Sequence, residues 1–133
     1  MENCVFCKIA KGEVSCWKVY EDENSIAFLD LDPVSEYHTL VIPKKHHQDI
    51  LDIPEEELKE LISSVQKVCL LYQEKLGITN VQLFNNSGRD AQQSVFHIHF
   101  HIIPRSHADG NNVYLNKHPE LMAKYDRMLE KLK

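Results

Sequence analysis

No stretch of the sequence is apolar over the roughly 20 residues that a bilayer-spanning helix needs, and the first residues contain no signal-peptide apolar region. We therefore expect a cytoplasmic protein without a membrane partner, whose cysteines stay reduced. An excess of basic residues is also missing, since the formal net charge is -5. Because sequence-blind binding to nucleic acid needs a basic face, we expect no nucleic-acid partner.

Glycine and proline are scarce as well, with 4 and 5 residues in a chain of 133, as is usual for a globular domain without low-complexity segments. Hydrophobic residues make up 43% and charged residues 26%, which fits the same class. A chain of this length can bury a core without disulfides or a second module. We therefore predict a single domain over residues 1–133.

The feature that stands out is a run of three histidines alternating with apolar residues between His97 and Ile103. In an extended strand the three histidines would share one face and the apolar residues the other. A lone histidine is usually a surface or core residue, but three in strict alternation are hard to explain by packing. Histidine can serve as a nucleophile, a proton carrier or a metal ligand, and same-face spacing of roughly 6.6 to 7 Å lets each ring act separately.

Near the N-terminus, Cys4 and Cys7 have the Cys-x-x-Cys spacing. Two thiolates at this spacing can bind one zinc ion or form a redox pair. A redox function usually needs a following helix packed on a βαβ unit, which the sequence does not contain. The motif therefore favours a metal site.

Periodicity predicts five strands, over residues 14–20, 25–31, 38–43, 81–86 and the histidine run. One long helix is expected over residues 53–76, with Asp52 and Glu55 at capping-box spacing and Gly77 closing it. Its apolar stripe is Leu58, Leu61, Ile62, Val65, Val68, Cys69, Tyr72 and Leu76. A C-terminal amphipathic helix opens at Pro119, with a buried stripe of Leu121, Met122, Tyr125, Met128, Leu129 and Leu132. These elements predict an α+β fold with a five-stranded antiparallel sheet, one long helix packed on it and a C-terminal helix.

The run from His97 to Ile103 resembles the motif of the histidine triad (HIT) family of nucleotide hydrolases and transferases. The chain is most similar to the Hint-like or bacterial branch. The match extends from about residue 4 to Arg105, which leaves residues 106–133 as a variable C-terminal extension. Other matching segments occur in the family's order: Cys4-x-x-Cys7, residues 27–30, residues 40–46, Asn86 and residues 93–95.

This resemblance implies a HIT-like fold and a homodimer whose sheets and long helices meet across a two-fold axis. It also implies that His99 attacks the α-phosphate of a nucleotide conjugate and forms a nucleotidyl-histidine, which water then hydrolyses. The other ring nitrogen of His99 would donate to the carbonyl of His97. His101 would contact the phosphate and stabilise its developing charge.

The implied substrate is a purine nucleotide conjugate: a nucleoside phosphoramidate, an aminoacyl-adenylate or a dinucleoside polyphosphate. Cleavage would release a nucleoside monophosphate. By resemblance, Asp30 would hydrogen-bond the ribose hydroxyls, and Phe28 and Leu31 would line the base pocket.

The phosphate side of the site is implied in the same way. Asn86 and Ser94 would bind phosphate oxygens, Ser94 could assist the leaving group, and Gln93 belongs to the same segment. The sequence departs from the family at one point, because relatives usually have glycine where Gln92 stands here.

Zinc-bearing relatives imply a structural site with four ligands, which here are Cys4, Cys7, His46 and His97. Sulfur and imidazole ligands suit a closed tetrahedral zinc site with no open position for water. The choice of His46 over His47 rests on motif alignment alone.

Two alternatives are open at this point. The three histidines of the run could together bind a catalytic zinc that activates water, which would leave Cys4 and Cys7 without a role. The chain could also be a nucleotide-binding regulatory module with weak or vestigial hydrolase activity.

Overall fold

The computed structural model describes residues 3–133. Its strands are β1 (Lys18–Glu21), β2 (Ser25–Leu29), β3 (Thr39–Pro43), β4 (Val81–Phe84) and β5 (Phe100–Pro104). Its helices are α1 (Val5–Ala10), α2 (Glu55–Leu76) and α3 (Tyr125–Glu130), with short 3-10 helices at Arg89–Ala91 and Pro119–Lys124. The strands form one antiparallel sheet in the order β1-β2-β3-β5-β4. The predicted α+β fold with a five-stranded antiparallel sheet and one long helix packed on it is therefore confirmed.

The two faces of the sheet bury different clusters. On one face, Val41 and Ile102 pack beneath α2. On the opposite face, Phe28 and Ile42 pack with Phe6 of α1. Because both faces are covered, every residue of β3 is buried.

The long helix α2 was predicted almost to its ends. Gly77 follows it with a φ of 70°, a left-handed conformation that glycine adopts without a steric penalty. Most of the predicted stripe faces the sheet, but Ile62 and Leu76 are 44% and 43% exposed. None of the helices in residues 3–133 is both long and apolar enough to cross a bilayer.

The start of α2 differs from the prediction. The helix begins at Glu55, its N-cap is Pro54, and no side chain caps it. The expected capping box is wrong, because the Asp52 carboxylate instead accepts a hydrogen bond from the backbone N–H of Gln48. Three glutamates in the first turn favour the positive end of the helix dipole without such a cap.

The histidine run enters the sheet later than expected. Strand β5 begins at Phe100, so only His101 of the three histidines lies within the sheet ladder. The backbone N–H of Ile98 donates to the carbonyl of His47 at 2.7 Å, which ties the preceding residues to a loop instead of a strand. Ile98, Phe100 and Ile102 pack in the cluster beneath α2, so the predicted alternation of faces holds for these residues.

The C-terminal segment differs most from the prediction. Pro119–Lys124 is a 3-10 helix and only Tyr125–Glu130 is α-helical. The predicted burial of its apolar stripe is wrong for the single chain, because these side chains are between 43% and 83% exposed. Nothing within residues 3–133 covers them.

Candidate active site and metal centre

His99 lies just before β5 and is 5% exposed. Its Nδ1 is 2.8 Å from the backbone carbonyl oxygen of His97. Since a carbonyl only accepts, Nδ1 bears the proton and the lone pair is on Nε2. Burial lowers the pKa of His99, so the ring is neutral, with one nucleophilic nitrogen.

His101 is the next ring of the run, with its centroid 5.1 Å from that of His99. Its Nδ1 is 3.0 Å from Nε2 of His38, the residue just before β3. The backbone N–H of Val34 donates to Nδ1 of His38, which requires the His38 proton to be on Nε2. That proton points towards His101, whose Nε2 is left available to a substrate.

The Asp30 carboxylate lies beside these two rings. Its Oδ2 is 3.4 Å from Nε2 of His38 and 4.0 Å from Nδ1 of His101. Its Oδ1 accepts from the backbone N–H of Asp32, which fixes its orientation. A carboxylate in this position raises the pKa of His101, although burial outweighs it and lowers that pKa to about 4.

A cavity of about 240 Å³ opens in front of His99 and His101. The structure brings six of the predicted site residues to its wall: Phe28, Asp30, Leu31, Ser94, His99 and His101. We call this the nucleotide cavity. The rest of the wall is formed largely by α1, the segment that follows α1, and Val95. This wall is mainly apolar, which suits the flat ring of a nucleotide base.

Two predicted residues lie elsewhere. Asn86 lines a second cavity, which it shares with His101. Gln93 is buried, and its side-chain amide is engaged within the protein. Its Oε1 accepts from the N–H of Gly88, while its Nε2 donates to the carbonyls of Gln48 and Val95. The side chain therefore holds together the loop that presents Ser94.

Gln92 is the residue at which the sequence departs from the family pattern, and its backbone conformation accounts for the glycine of that pattern. Its φ is 70°, in the left-handed region where an L side chain is strained and glycine is not. Glycine in relatives would suit this turn conformation. Gln92 adopts the same conformation with its side chain exposed.

Cys4, Cys7, His46 and His97 form one cluster, with all ligand atoms within 4.8 Å of one another. Nδ1 of His97 is 3.4 Å from the sulfur of Cys4 and 3.5 Å from the sulfur of Cys7. Nδ1 of His46 is 3.3 Å from the Cys7 sulfur and 3.2 Å from Nδ1 of His97. With Zn–S near 2.3 Å and Zn–N near 2.0 to 2.1 Å, tetrahedral geometry puts N and S roughly 3.5 Å apart and two nitrogens roughly 3.3 Å apart. The cluster could therefore hold a tetrahedral metal ion.

The ring of His97 is oriented for this role. Its Nε2 donates to the carbonyl of Pro43 at 2.8 Å, which leaves the lone pair of Nδ1 directed at the thiols. Burial lowers the pKa of His97 to about 4, so its ring is neutral and can bind a metal. Burial also raises the pKa of the Cys7 thiol, which disfavours the thiolate; a bound cation would lower this pKa again. His47 points elsewhere, with its Nε2 3.2 Å from the Glu57 carboxylate, which favours His46 as the ligand.

Helix α1 links the two sites. It supplies Cys7 to the cluster, and the sulfur of its N-cap Cys4 accepts from the Cys7 N–H. Its Phe6 ring stands edge-on to His97 and His99, with centroids 5.8 and 5.1 Å away. A metal held by Cys4 and Cys7 would anchor α1 and so hold Phe6 against His99.

The three histidines of the run do not converge on one point. His97 faces the thiols, the Nδ1 of His99 is occupied by a carbonyl, and His101 faces His38. This geometry argues against a catalytic zinc bound by all three. Each ring has a separate partner and so a separate chemistry.

Sequence reasoning missed His38. It appeared only as the first residue of a predicted strand, although its spacing of two and four from Leu40 and Ile42 places it on their face of the sheet. That face also carries His101, which pairs with Leu40 across β3 and β5. A histidine two residues before a buried strand position was the available signal.

Comparison with known proteins finds a family model and similar sequences. The family model "HIT domain" matches residues 11–108. Adenosine 5'-monophosphoramidase hnt1 of Schizosaccharomyces pombe is 42% identical over 103 residues, 77% of this chain and 73% of that protein. Adenylylsulfatase HINT3 of Arabidopsis thaliana is 38% identical over 107 residues, 80% of this chain and 54% of that protein.

Solved structures extend the similarity to nearly the whole chain. A HIT family protein from Bacillus anthracis has a TM-score of 0.87 at 39% identity, covering 98% of this chain and 95% of that one. A Zn-bound histidine triad family protein from Mycobacterium smegmatis has a TM-score of 0.77 at 32% identity, covering 99% of both chains. The chain belongs to the histidine triad family.

Proposed function

We propose that this protein is a nucleotide hydrolase or transferase that cleaves at the α-phosphate of a purine nucleotide conjugate through a nucleotidyl-His99 intermediate. The observation that carries the proposal is the hydrogen bond from His99 Nδ1 to the His97 carbonyl, which directs a lone pair on Nε2 to the substrate side. The names of two relatives, an adenosine 5'-monophosphoramidase and an adenylylsulfatase, support hydrolysis of adenylyl compounds.

The first step joins Nε2 of His99 to the α-phosphorus and breaks the bond to the leaving group. A departing amine nitrogen must gain a proton. The negative phosphate raises the pKa of the neighbouring His101, and the Asp30 carboxylate, 4.0 Å from Nδ1 of His101, acts in the same direction. In the substrate complex His101 therefore takes a second proton on Nδ1, which replaces the hydrogen bond from His38, and the proton on its Nε2 is the one given to the amine.

The second step returns the enzyme to its starting state. Water gives one proton to neutral His101 while its oxygen bonds to phosphorus, and the bond from phosphorus to His99 breaks. A nucleoside monophosphate is released. Covalent catalysis of this kind divides one difficult displacement into two easier ones.

The remaining residues bind the nucleotide in this proposal. Asp30 hydrogen-bonds the ribose, and Phe28 and Leu31 enclose the base, which fits their place in the nucleotide cavity. Ser94, also in that wall, binds a phosphate oxygen and assists the leaving group. Asn86 binds phosphate from the side of His101. Gln93 does not bind the nucleotide through its side chain in this proposal; its hydrogen bonds hold the loop that carries Ser94 in position.

The metal in this proposal is a structural zinc ion held by Cys4, Cys7, His46 and His97. The tetrahedral spacing of the four ligand atoms and the zinc-bound relative support it. When bound, zinc would stabilise the thiolates and anchor α1. With four protein ligands it has no open position, so every chemical step belongs to the histidines.

The intermediate can be tested by mass spectrometry of the intact protein after brief incubation with adenosine 5'-phosphoramidate and a quench in cold denaturant at alkaline pH, where the P–N bond of a nucleotidyl-histidine persists. We expect an adenylyl adduct on the parent protein and none on His99→Ala. His107→Ala, which changes an exposed histidine outside the site, is the matched control and should retain the adduct. AMP release that persists in His99→Ala and stops on chelation would refute the nucleophile. Nucleotide binding without turnover would favour the regulatory module.

A further inference from the structure

The peptide unit that joins Tyr37 to His38 is hydrogen-bonded at both of its polar groups. Its N–H donates to the carbonyl of Ser35 at 3.2 Å. Its carbonyl oxygen accepts a 2.7 Å hydrogen bond from the hydroxyl of Thr39. Because a peptide unit is planar, these two bonds fix its orientation and so set the direction in which the His38 ring leaves the backbone.

Tyr37 has a backbone conformation that few residues other than glycine adopt. Its φ is 63°, in the left-handed region. Such a conformation persists only where surrounding contacts hold it, and Tyr37 has two of them. Its ring packs edge-on against Tyr72 of α2, with centroids 5.3 Å apart, and its carbonyl is bonded to Thr39. The turn before β3 is therefore held from the side of the sheet that α2 covers.

The hydroxyls of Thr39 and Tyr72 form a buried pair beneath α2. Thr39 is 0% and Tyr72 3% exposed, and their hydroxyl oxygens are 2.6 Å apart. Since a carbonyl only accepts, Thr39 gives its proton to the carbonyl of Tyr37 and accepts the proton of Tyr72. Both protons are thus directed from α2 towards the peptide unit that precedes His38.

This pair lies on the opposite face of the sheet from the catalytic rings. Thr39 shares with Val41 the face that α2 covers, whereas His38 faces His101 on the other side. Neither Thr39 nor Tyr72 is among the residues that line the nucleotide cavity. Their route to the catalytic rings therefore runs through the backbone of His38.

We propose that Tyr72 and Thr39 are positioning residues that set the hydrogen bond from His38 to His101. With the preceding peptide unit fixed, the N–H at Nε2 of His38 stays directed at Nδ1 of His101, 3.0 Å away. In the nucleotide-free protein the proton of His101 is then on Nε2, the nitrogen left available to the substrate. The catalytic consequence rests on the proposed function, whereas the tautomer of His101 does not.

The test reads this tautomer from the ring-nitrogen chemical shifts of His101 in NMR spectra of the nucleotide-free protein near neutral pH. Thr39→Val removes the hydroxyl with little change in side-chain shape. We expect the single Nε2–H tautomer of the parent to become a mixture, and kcat for adenosine 5'-phosphoramidate to fall about tenfold. Thr39→Ser, which retains a hydroxyl, should restore the single tautomer and most of kcat. Tyr72→Phe should act in the same direction as Thr39→Val, with a fall in kcat of about threefold.

Tyr20→Phe is the matched control. It also removes a half-buried tyrosine hydroxyl with a 2.7 Å hydrogen bond, but that bond goes to Asp22 in the turn between β1 and β2. This variant should keep the parent tautomer of His101 and the parent kcat, even if its melting temperature falls.

A single Nε2–H tautomer of His101 in both Thr39→Val and Tyr72→Phe overturns the inference and leaves the proposed function intact. If Thr39→Val does not fold, Tyr72→Phe alone decides, because it leaves Thr39 in place. A mixed tautomer in these variants, in a parent protein that releases no AMP, supports the positioning of His101 and overturns the proposed function.

Discussion

At the scale of single residues, backbone groups assign a tautomer to each of three histidines. Pro43 accepts from Nε2 of His97, the carbonyl of His97 accepts from Nδ1 of His99, and the Val34 N–H donates to Nδ1 of His38. Chemically identical side chains therefore expose different nitrogens. One lone pair faces the thiols, one faces the substrate, and one N–H faces His101.

His38 is expected to position His101 without touching the α-phosphate. Replacing it with phenylalanine removes the N–H that orients the His101 ring, so we expect kcat for adenosine 5'-phosphoramidate to fall about tenfold to a hundredfold. The affinity for AMP, measured by calorimetry, should change less than about threefold. His38→Gln, whose amide can still donate, should recover part of kcat. Unchanged kcat in His38→Phe would contradict this role.

The buried histidines also make stability depend on pH. Burial lowers the pKa of His101 from 6.5 to about 4 and lowers that of His38 as well. Between these values the unfolded chain binds more protons than the folded one, so the contribution to stability is complete above about pH 6.5 and is lost as the pH falls towards 4.

We therefore expect the urea concentration at half-unfolding to decrease as the pH is lowered from 6.5 to 4.5. In His101→Gln this midpoint should change less steeply with pH. This variant keeps all four candidate metal ligands, so the difference in slope reports His101 alone. His107→Gln, at an exposed position, should follow the parent. Equal slopes in the parent and His101→Gln would contradict a neutral, buried His101.

At the scale of elements, the sequence predicted those parts that local patterns determine. Alternation placed Ile98, Phe100 and Ile102 towards α2, and helical spacing together with Gly77 located the end of α2. Contacts between distant segments were not predictable. The ladder of β5 starts at Phe100 because Ile98 bonds to His47, some 50 residues earlier in the chain. The link from His38 to His101 depends on the same long-range pairing.

Helix α1 is too short to be stable alone, with 6 residues, and the metal cluster is expected to hold it in place. Removing zinc by chelation, or replacing Cys7 with serine, should release α1 and the Phe6 ring that covers His99. We expect the melting temperature to fall by about 5 to 10 °C, since a loss of a few kcal/mol has this effect in a domain of this size. Differential scanning calorimetry with zinc content read from the same samples measures both.

Cys16→Ser is the control for that experiment, because Cys16 is a half-buried thiol outside the cluster. It should retain one zinc ion per chain and the parent melting temperature within about 2 °C. A parent protein purified with zinc whose melting temperature is the same after chelation would show that the metal does not anchor α1.

At the scale of the whole molecule, exposed apolar side chains occur on α2, on β4 and in the C-terminal segment, among other places. On α2, Ile62 and Leu70 are 44% and 52% exposed. Strand β4 is at the edge of the sheet with Leu83 half exposed, and the C-terminal stripe described above is uncovered. An edge strand with free backbone groups next to apolar side chains invites pairing with another chain. These surfaces support the homodimer that the family resemblance implies, in which sheets and long helices meet. We propose that the C-terminal segments also belong to that interface.

A homodimer makes stability depend on protein concentration, because association stabilises the folded state by mass action. We expect sedimentation equilibrium at micromolar concentration to give twice the mass of one chain. Replacing Met122 and Leu129 together with glutamate puts charge into the C-terminal stripe and should shift the species towards the single chain. Leu51→Glu, at a loop leucine that is 92% exposed, should remain dimeric. A single-chain mass for the parent, with a melting temperature independent of concentration, would mean that the exposed stripe is not buried by a second copy.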